Sequence, residues 1–195
     1  LLIGHSLGGA AVLAAAGFAE GESAWQQLVD FRQTAERRSL SSRGMARLDL
    51  VIPHLLKEVA NCGAPDQTLN RVLKVLEAVL GRTAYLDLLA EHPDALRLLV
   101  QLSAKSPWFA ERTARQPLLL DELLDTRRLL APLHRADLEQ ELDHLLAGVD
   151  AGDLEQRMER LRQFAQGNRL RVAAADVTGA IPLMVVSDYL TEIAE

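Results

Sequence analysis

The placement of proline against short apolar runs limits what this chain can fold into. His92-Pro93, Ser106-Pro107 and Gln116-Pro117 each put a proline where the first residue of a short helix would be. Proline has no N–H to donate and a φ already near the helical value. It is therefore tolerated at the first helical position and disfavoured inside a helix. Junctions this close together predict short helices, carrying YLDLLAEH, DALRLLVQLSAK, WFAERTARQ and LLLDELLD. Cys62-Gly63-Ala64-Pro65 reads as a further stop and restart. Brief connections between such helices imply a compact helical array.

The rest of the chain has the same period. Leu69, Val72, Leu73, Leu76, Val79 and Leu80 share one helix face. Leu48, Ile52, Leu55, Leu56 and Val59 follow a start at Ser41 or Ser42, with Pro53 expected to kink or split that helix. Ser23-x-x-Gln26 has the form of a capping box ahead of Leu28, Val29 and Phe31. Leu138, Leu142, Leu145, Leu146 and Val149 form another stripe, broken at Gly148–Gly152. Asp153-x-x-Gln156 caps a long helix running through Arg169 and Arg171 to Asp176. One face of that helix holds Leu154, Met158, Leu161, Phe164 and Ala165, and the other reads as solvated. Gly179 to Pro182 marks a turn before a last helix with Leu183, Val186, Leu190 and Ile193.

Aromatic residues are only 4% of a chain that is 49% hydrophobic, so the core must be built from Leu, Ala and Val, which suits packed helices. The run Val172 to Val186 is too short and too interrupted to span a membrane and reads as a buried core segment. No strand-like run follows residue 9. The expected fold class is all-α, an array of short and medium helices with at most a vestigial strand at residues 1–4. Three parts are expected: an atypical lead-in over 1–16, a helical linker over 17–80 and a helical segment over 81–195.

Chemistry is sparse. Gly4-His5-Ser6-Leu7-Gly8 spells G-x-S-x-G, the form of a nucleophile elbow, with Ser6 as nucleophile and the Leu7 N–H as oxyanion donor. An elbow needs a parallel sheet around it, and only five residues precede Ser6. His54, His92, His134 and His144 all fall in helical or helix-flanking stretches, so no triad assembles. The N-terminal apolar run lacks a basic leader and is not read as a signal peptide.

The single cysteine, Cys62, excludes an internal disulfide framework or a multi-cysteine metal site and fits a reducing cytoplasm. A net charge of −6 gives no general attraction to nucleic acid or an anionic membrane. His144 lies near Glu139, Glu141 and Asp143, but no zinc-type pattern is completed, and the group reads as a solvated face. Arg157, Arg160, Arg169 and Arg171 are interleaved with acids and make a weak phosphate site. Trp25 and Trp108 read as core or helix-docking aromatics. The residues themselves nominate no catalytic, cofactor-binding or metal-binding side chain.

Two long stretches say more. RTAYLDLLAEHPDALRLLVQLSAKSPWFAERTARQPLLLDELLD, Arg82 to Asp125, resembles the central region of the glutamate–ammonia-ligase adenylyltransferase family. DLEQRMERLRQFAQGNRLRVAAADVTGAIPLMVVSDYLTEIAE, Asp153 to Glu195, resembles the part just ahead of that family's C-terminal catalytic half, and Gly17 to Leu56 is similar to its upstream linker. The resemblance implies an enzyme that moves AMP from ATP to glutamine synthetase and removes it by phosphorolysis, regulating nitrogen assimilation. It implies PII signalling protein and glutamine as regulators, neighbouring catalytic domains as partners, and ATP with Mg²⁺ bound outside this segment. The family's Gly…Ser-Asp-x-Asp motif is not here: Ser187-Asp188 is followed by Tyr189-Leu190. The segment is thus expected to be an inactive helical scaffold, truncated ahead of the catalytic motif. The alternatives are a serine-hydrolase fragment using Ser6 and a free-standing helical adaptor.

Overall fold

A computed structural model describes residues 6–195, with side chains from residue 8 onward. The expected vestigial strand at residues 1–4 lies outside the described residues. Among the described residues all regular structure is helical. The chain divides into two compact units, one ending at Leu124 and one spanning Asp125–Glu195.

The first unit holds α1 (Ser6–Ala15), α2 (Gly21–Arg37), α3 (Ser42–Ala60), α4 (Pro65–Val79), α5 (Thr83–Glu91), α6 (Pro93–Lys105) and α7 (Pro107–Arg115), closed by a 3-10 helix over Pro117–Leu124. Pro65, Pro93 and Pro107 each open their helix, where no N–H is required. The Ser106 hydroxyl accepts from the Phe109 N–H at 3.2 Å, adding a side-chain cap at the α7 start. Pro117 opens a 3-10 helix rather than an α-helix. Pro53 neither splits nor ends α3, which is continuous across it.

Helix α4 is the centre of the unit. It packs against α2, α3, α5, α6, α7 and the 3-10 helix. The predicted stripe is buried and widened by Val75 and Thr68. The Thr68 hydroxyl donates to the Ala64 carbonyl at 2.8 Å, so its burial leaves no unmet polar group. Helices α1 and α2 approach closely through glycine. A Cβ on Gly21 would lie 2.6 Å from the Ala10 carbonyl oxygen, and one on Gly9 would lie 2.3 Å from the Trp25 ring. Gly9 therefore makes room for an aromatic ring.

The start of α2 differs from expectation. It begins two residues ahead of the Ser23 capping box, and its own N-cap residue, Glu20, makes no side-chain cap. Asp66, at the start of α4, supplies the cap instead. Its carboxylate accepts from the Ala19 N–H at 2.9 Å and the Glu20 N–H at 3.2 Å. An anion there satisfies donors that have no intrahelical partner and complements the positive end of the helix. Asp66→Ala is expected to destabilise the chain by about 1 kcal/mol in urea unfolding followed by circular dichroism. An unchanged midpoint would mean that water replaces the carboxylate at no cost.

Other polar ties secure the unit's surface. Arg47 on α3 reaches Asp87 at 2.6 Å and Glu91 at 2.9 Å on α5. Arg71 on α4 donates to the Ser103 and Ala104 carbonyls at 3.0 Å each, where α6 runs out of amide partners.

The second unit holds α8 (Thr126–Leu129), α9 (Arg135–Leu146), α10 (Leu154–Thr178), a 3-10 turn (Leu183–Val185) and α11 (Val186–Ala194). Asp153 caps α10 through the Gln156 N–H at 2.9 Å, as the sequence predicts. Gly179 ends α10 with a φ of 76°, and the Ala180 N–H returns to the Ala175 carbonyl at 2.7 Å. This left-handed closure is the one place in the unit where glycine's freedom is required.

Several packing expectations change. The Val172–Val186 run is buried through Ala175 but returns to the surface after Gly179, with Leu183 and Met184 exposed. The face of Leu154, Met158 and Leu161 is exposed rather than packed, and α11 buries none of its residues. In the first unit, Trp108 is also exposed, so it is not a core aromatic. Short helices that supply only one or two turns of contact cannot cover every apolar position that the period marks.

Candidate functional site

The most organised polar cluster is centred on Glu141 of α9. Arg171 of α10 grips it bidentately, with Nη1 donating to Oε2 at 2.9 Å and Nη2 to Oε1 at 3.2 Å. Asn168 Nδ2 also donates to Oε2 at 3.3 Å, and Arg128 of α8 pairs with Oε1. Asn168 returns the contact by accepting from Arg171 Nη1 at 3.0 Å. The Arg171 side chain is 4% exposed and that of Glu141 23%. Burial pushes the Glu141 carboxyl upward. The hydrogen bond and charge of Arg171, with help from Asn168 and Arg128, outweigh burial and hold it below its ordinary value of 4.5. The carboxylate thus stays ionised and pinned. A planar fork locked on a carboxylate orients three helices; it is not a proton-transfer device.

A second cluster ties α11 to the start of α9. The His134 and Tyr189 rings stack with centroids 4.9 Å apart, and the Tyr189 hydroxyl lies 3.2 Å from His134 Nε2. Arg135 pairs with Glu195 at 2.7 Å. In the first unit, an open cleft of about 850 Å³ runs between α4 and α7. Its charged groups include Asp66, which caps α2, and Arg71, which caps α6. Arg115 faces Glu111 at 3.8 Å. No nucleophile with an adjacent base lines it.

The backbone of Ser6 opens α1, but its side chain and the whole of residues 1–5 lie outside the described residues. Among the described residues there is no strand, so none of the sheet that an elbow requires. His54 sits in α3, His92 precedes α6, and His144 is in the last turn of α9. Glu139 pairs with Arg135 at 3.1 Å, and Glu141 is held by arginine. Among the described residues no group of three His, Cys, Asp or Glu is placed to hold a metal. Arg171, weighed as a phosphate contact, is buried in the Glu141 cluster instead. Cys62 is half-buried, with Sγ 3.5 Å from the Glu58 carbonyl; burial, then the Glu58 charge, push its thiol upward and away from reactivity. Ser187 and Asp188 lie exposed at the start of α11. No helix among the described residues is long and apolar enough to cross a membrane.

Sequence reasoning missed the Glu141–Arg171–Asn168 cluster. The available signal was Asn168, a polar residue on the stripe formed by Leu154, Met158, Leu161, Ala165 and Val172.

Comparison with known proteins locates this helical assembly. Residues 96–195 match the family described as glutamate-ammonia ligase adenylyltransferase. A relative from Thioalkalivibrio sulfidiphilus is 49% identical over 185 residues, which is 95% of this chain and 19% of the relative. One from Nitrosococcus oceani is 51% identical over the same shares, and one from Pseudomonas aeruginosa is 48% identical over 94% of this chain and 19% of the relative. All three are named bifunctional glutamine synthetase adenylyltransferase/adenylyl-removing enzyme. The first match leaves fewer residues unmatched than the sixteen of the lead-in, so part of Leu1–Ala16 has a counterpart after all. The chain spans about a fifth of the length of the curated relatives it matches. With residues 96–195 matching the family and about half its residues identical to these relatives over 95% of its length, the chain belongs to the glutamate–ammonia ligase adenylyltransferase family.

Proposed function

We propose that this chain is the central helical segment of an enzyme that transfers AMP from ATP to glutamine synthetase and removes it by phosphorolysis. Family membership over nearly the whole chain is the observation that carries this reading. The segment itself acts as a scaffold. Its strongest charged groups are committed to holding helices, and no described cluster unites a nucleophile, base and metal ligands. ATP and Mg²⁺ bind in the larger polypeptide, beside a Gly…Ser-Asp-x-Asp motif that this segment does not contain. PII signalling protein and glutamine set the balance of the two activities in the cytoplasm, and the helical segment relays that state between neighbouring catalytic domains.

The test is transfer of radiolabelled AMP from ATP to glutamine synthetase. A full-length family member carrying this segment is expected to label glutamine synthetase, and the isolated chain to label nothing above background. Labelling by the isolated chain would overturn the scaffold reading. No labelling by the full-length protein would overturn the enzyme assignment.

A further inference from the structure

Helix α10 carries one seam at alternating four- and three-residue steps: Leu154, Met158, Leu161, Ala165, Asn168 and Val172. That spacing keeps side chains on a line that faces a neighbouring helix. Exposure falls steadily along it, from 70% at Leu154 to 50% at Met158, 38% at Leu161, 3% at Asn168 and 2% at Val172. The far half belongs to the core of the second unit. The near half keeps the same period with larger apolar side chains, yet the described residues leave it largely bare. Scattered single exposed leucines need no explanation. Three in register with a buried seam continue that seam past its cover. Glu155, Arg157 and Arg162 flank it, giving the polar rim usual around an apolar contact.

We infer that Leu154–Leu161 is the seat for an amphipathic helix from elsewhere in the same polypeptide, from the part that the relatives carry outside the matched region. The inference rests on reading the chain as a segment of that larger enzyme. Two observations choose this occupant. About four-fifths of each relative's length lies outside the match, so covering chain is abundant. The bare patch is also small. Three partly exposed side chains present a few hundred Å², short of the roughly 800 Å² per partner that a stable free complex buries. A second copy of the chain would face that shortfall at dilute concentration. A tethered helix does not, because covalent linkage holds it at high effective concentration.

Hydrogen exchange over residues 154–163 tests this, in the isolated chain and in a full-length family member carrying the segment. Exchange is expected to be at least tenfold slower in the full-length protein, independent of its concentration. Met158→Glu is expected to restore fast exchange there while leaving the thermal unfolding of the isolated chain unchanged, since Met158 is half exposed. Equal exchange in both proteins overturns the inference. So does protection of the isolated chain that grows with concentration, which would assign the seat to a second copy. AMP transfer measured on the same samples separates the two claims. An active full-length protein without protection refutes the seat alone, and a protected but inactive one refutes the proposed function alone.

Discussion

Glu141→Ala is expected to destabilise the unit Asp125–Glu195 by about 3 kcal/mol. Arg171 is almost fully buried, and this substitution removes the carboxylate that balances its charge. Breaking one side of a buried pair costs about 3–5 kcal/mol, and the lower figure applies because Glu141 keeps 23% of its side chain exposed. The double variant Glu141→Leu/Arg171→Met should recover much of the loss, since replacing both partners by apolar groups of similar volume is often neutral. A single-variant loss below about 0.5 kcal/mol in urea unfolding would mean that solvent screens the pair. The pH dependence has a defined sign. The folded carboxyl titrates below its ordinary value of 4.5, so its contribution is complete above that value and is lost as pH falls through the lower folded one. Acid unfolding of the wild type should therefore steepen below about pH 4.5, and Glu141→Gln should flatten that limb.

Leu76→Ala is expected to cost the first unit about 3–5 kcal/mol. Leu76 is fully buried on α4, the helix against which most of the unit packs. Truncation removes apolar contact and leaves a cavity that helices fixed on several sides cannot collapse to fill. The transition of this unit should fall by more than about 10 °C in a thermal scan. Leu50→Ala, at a half-exposed position on α3, should change it by less than about 1 °C and serves as the control. A Leu76→Ala shift as small as the control's would show that α4 is not the packing centre.

The starts of α4, α6 and α7 were legible because proline acts locally: a missing N–H and a fixed φ do not depend on the rest of the chain. The long α10 and its Asp153 cap were legible for the same reason, as was the apolar period of α4. The cap of α2 was not. Ser23 offered a local solution, but Asp66 arrives from α4 and satisfies the helix start earlier. Nor did periodicity distinguish a covered apolar face from a bare one, since Leu154 and Val172 lie on one seam with 70% and 2% exposure. The charge cluster escaped for a related reason: Asn168 stands on the apolar stripe, but its partners Glu141 and Arg171 look like ordinary surface residues until α8, α9 and α10 converge.

The sequence by itself determined an all-α fold class, which the described residues follow, the starts of α4, α6, α7 and α10, and the family, because these depend on residue type and order along the chain. Only the tertiary structure decided which helix caps which, which half of the α10 seam is buried, and that Arg171 holds Glu141 instead of a phosphate. Those outcomes depend on distances between residues far apart in sequence, which folding sets by burying apolar surface.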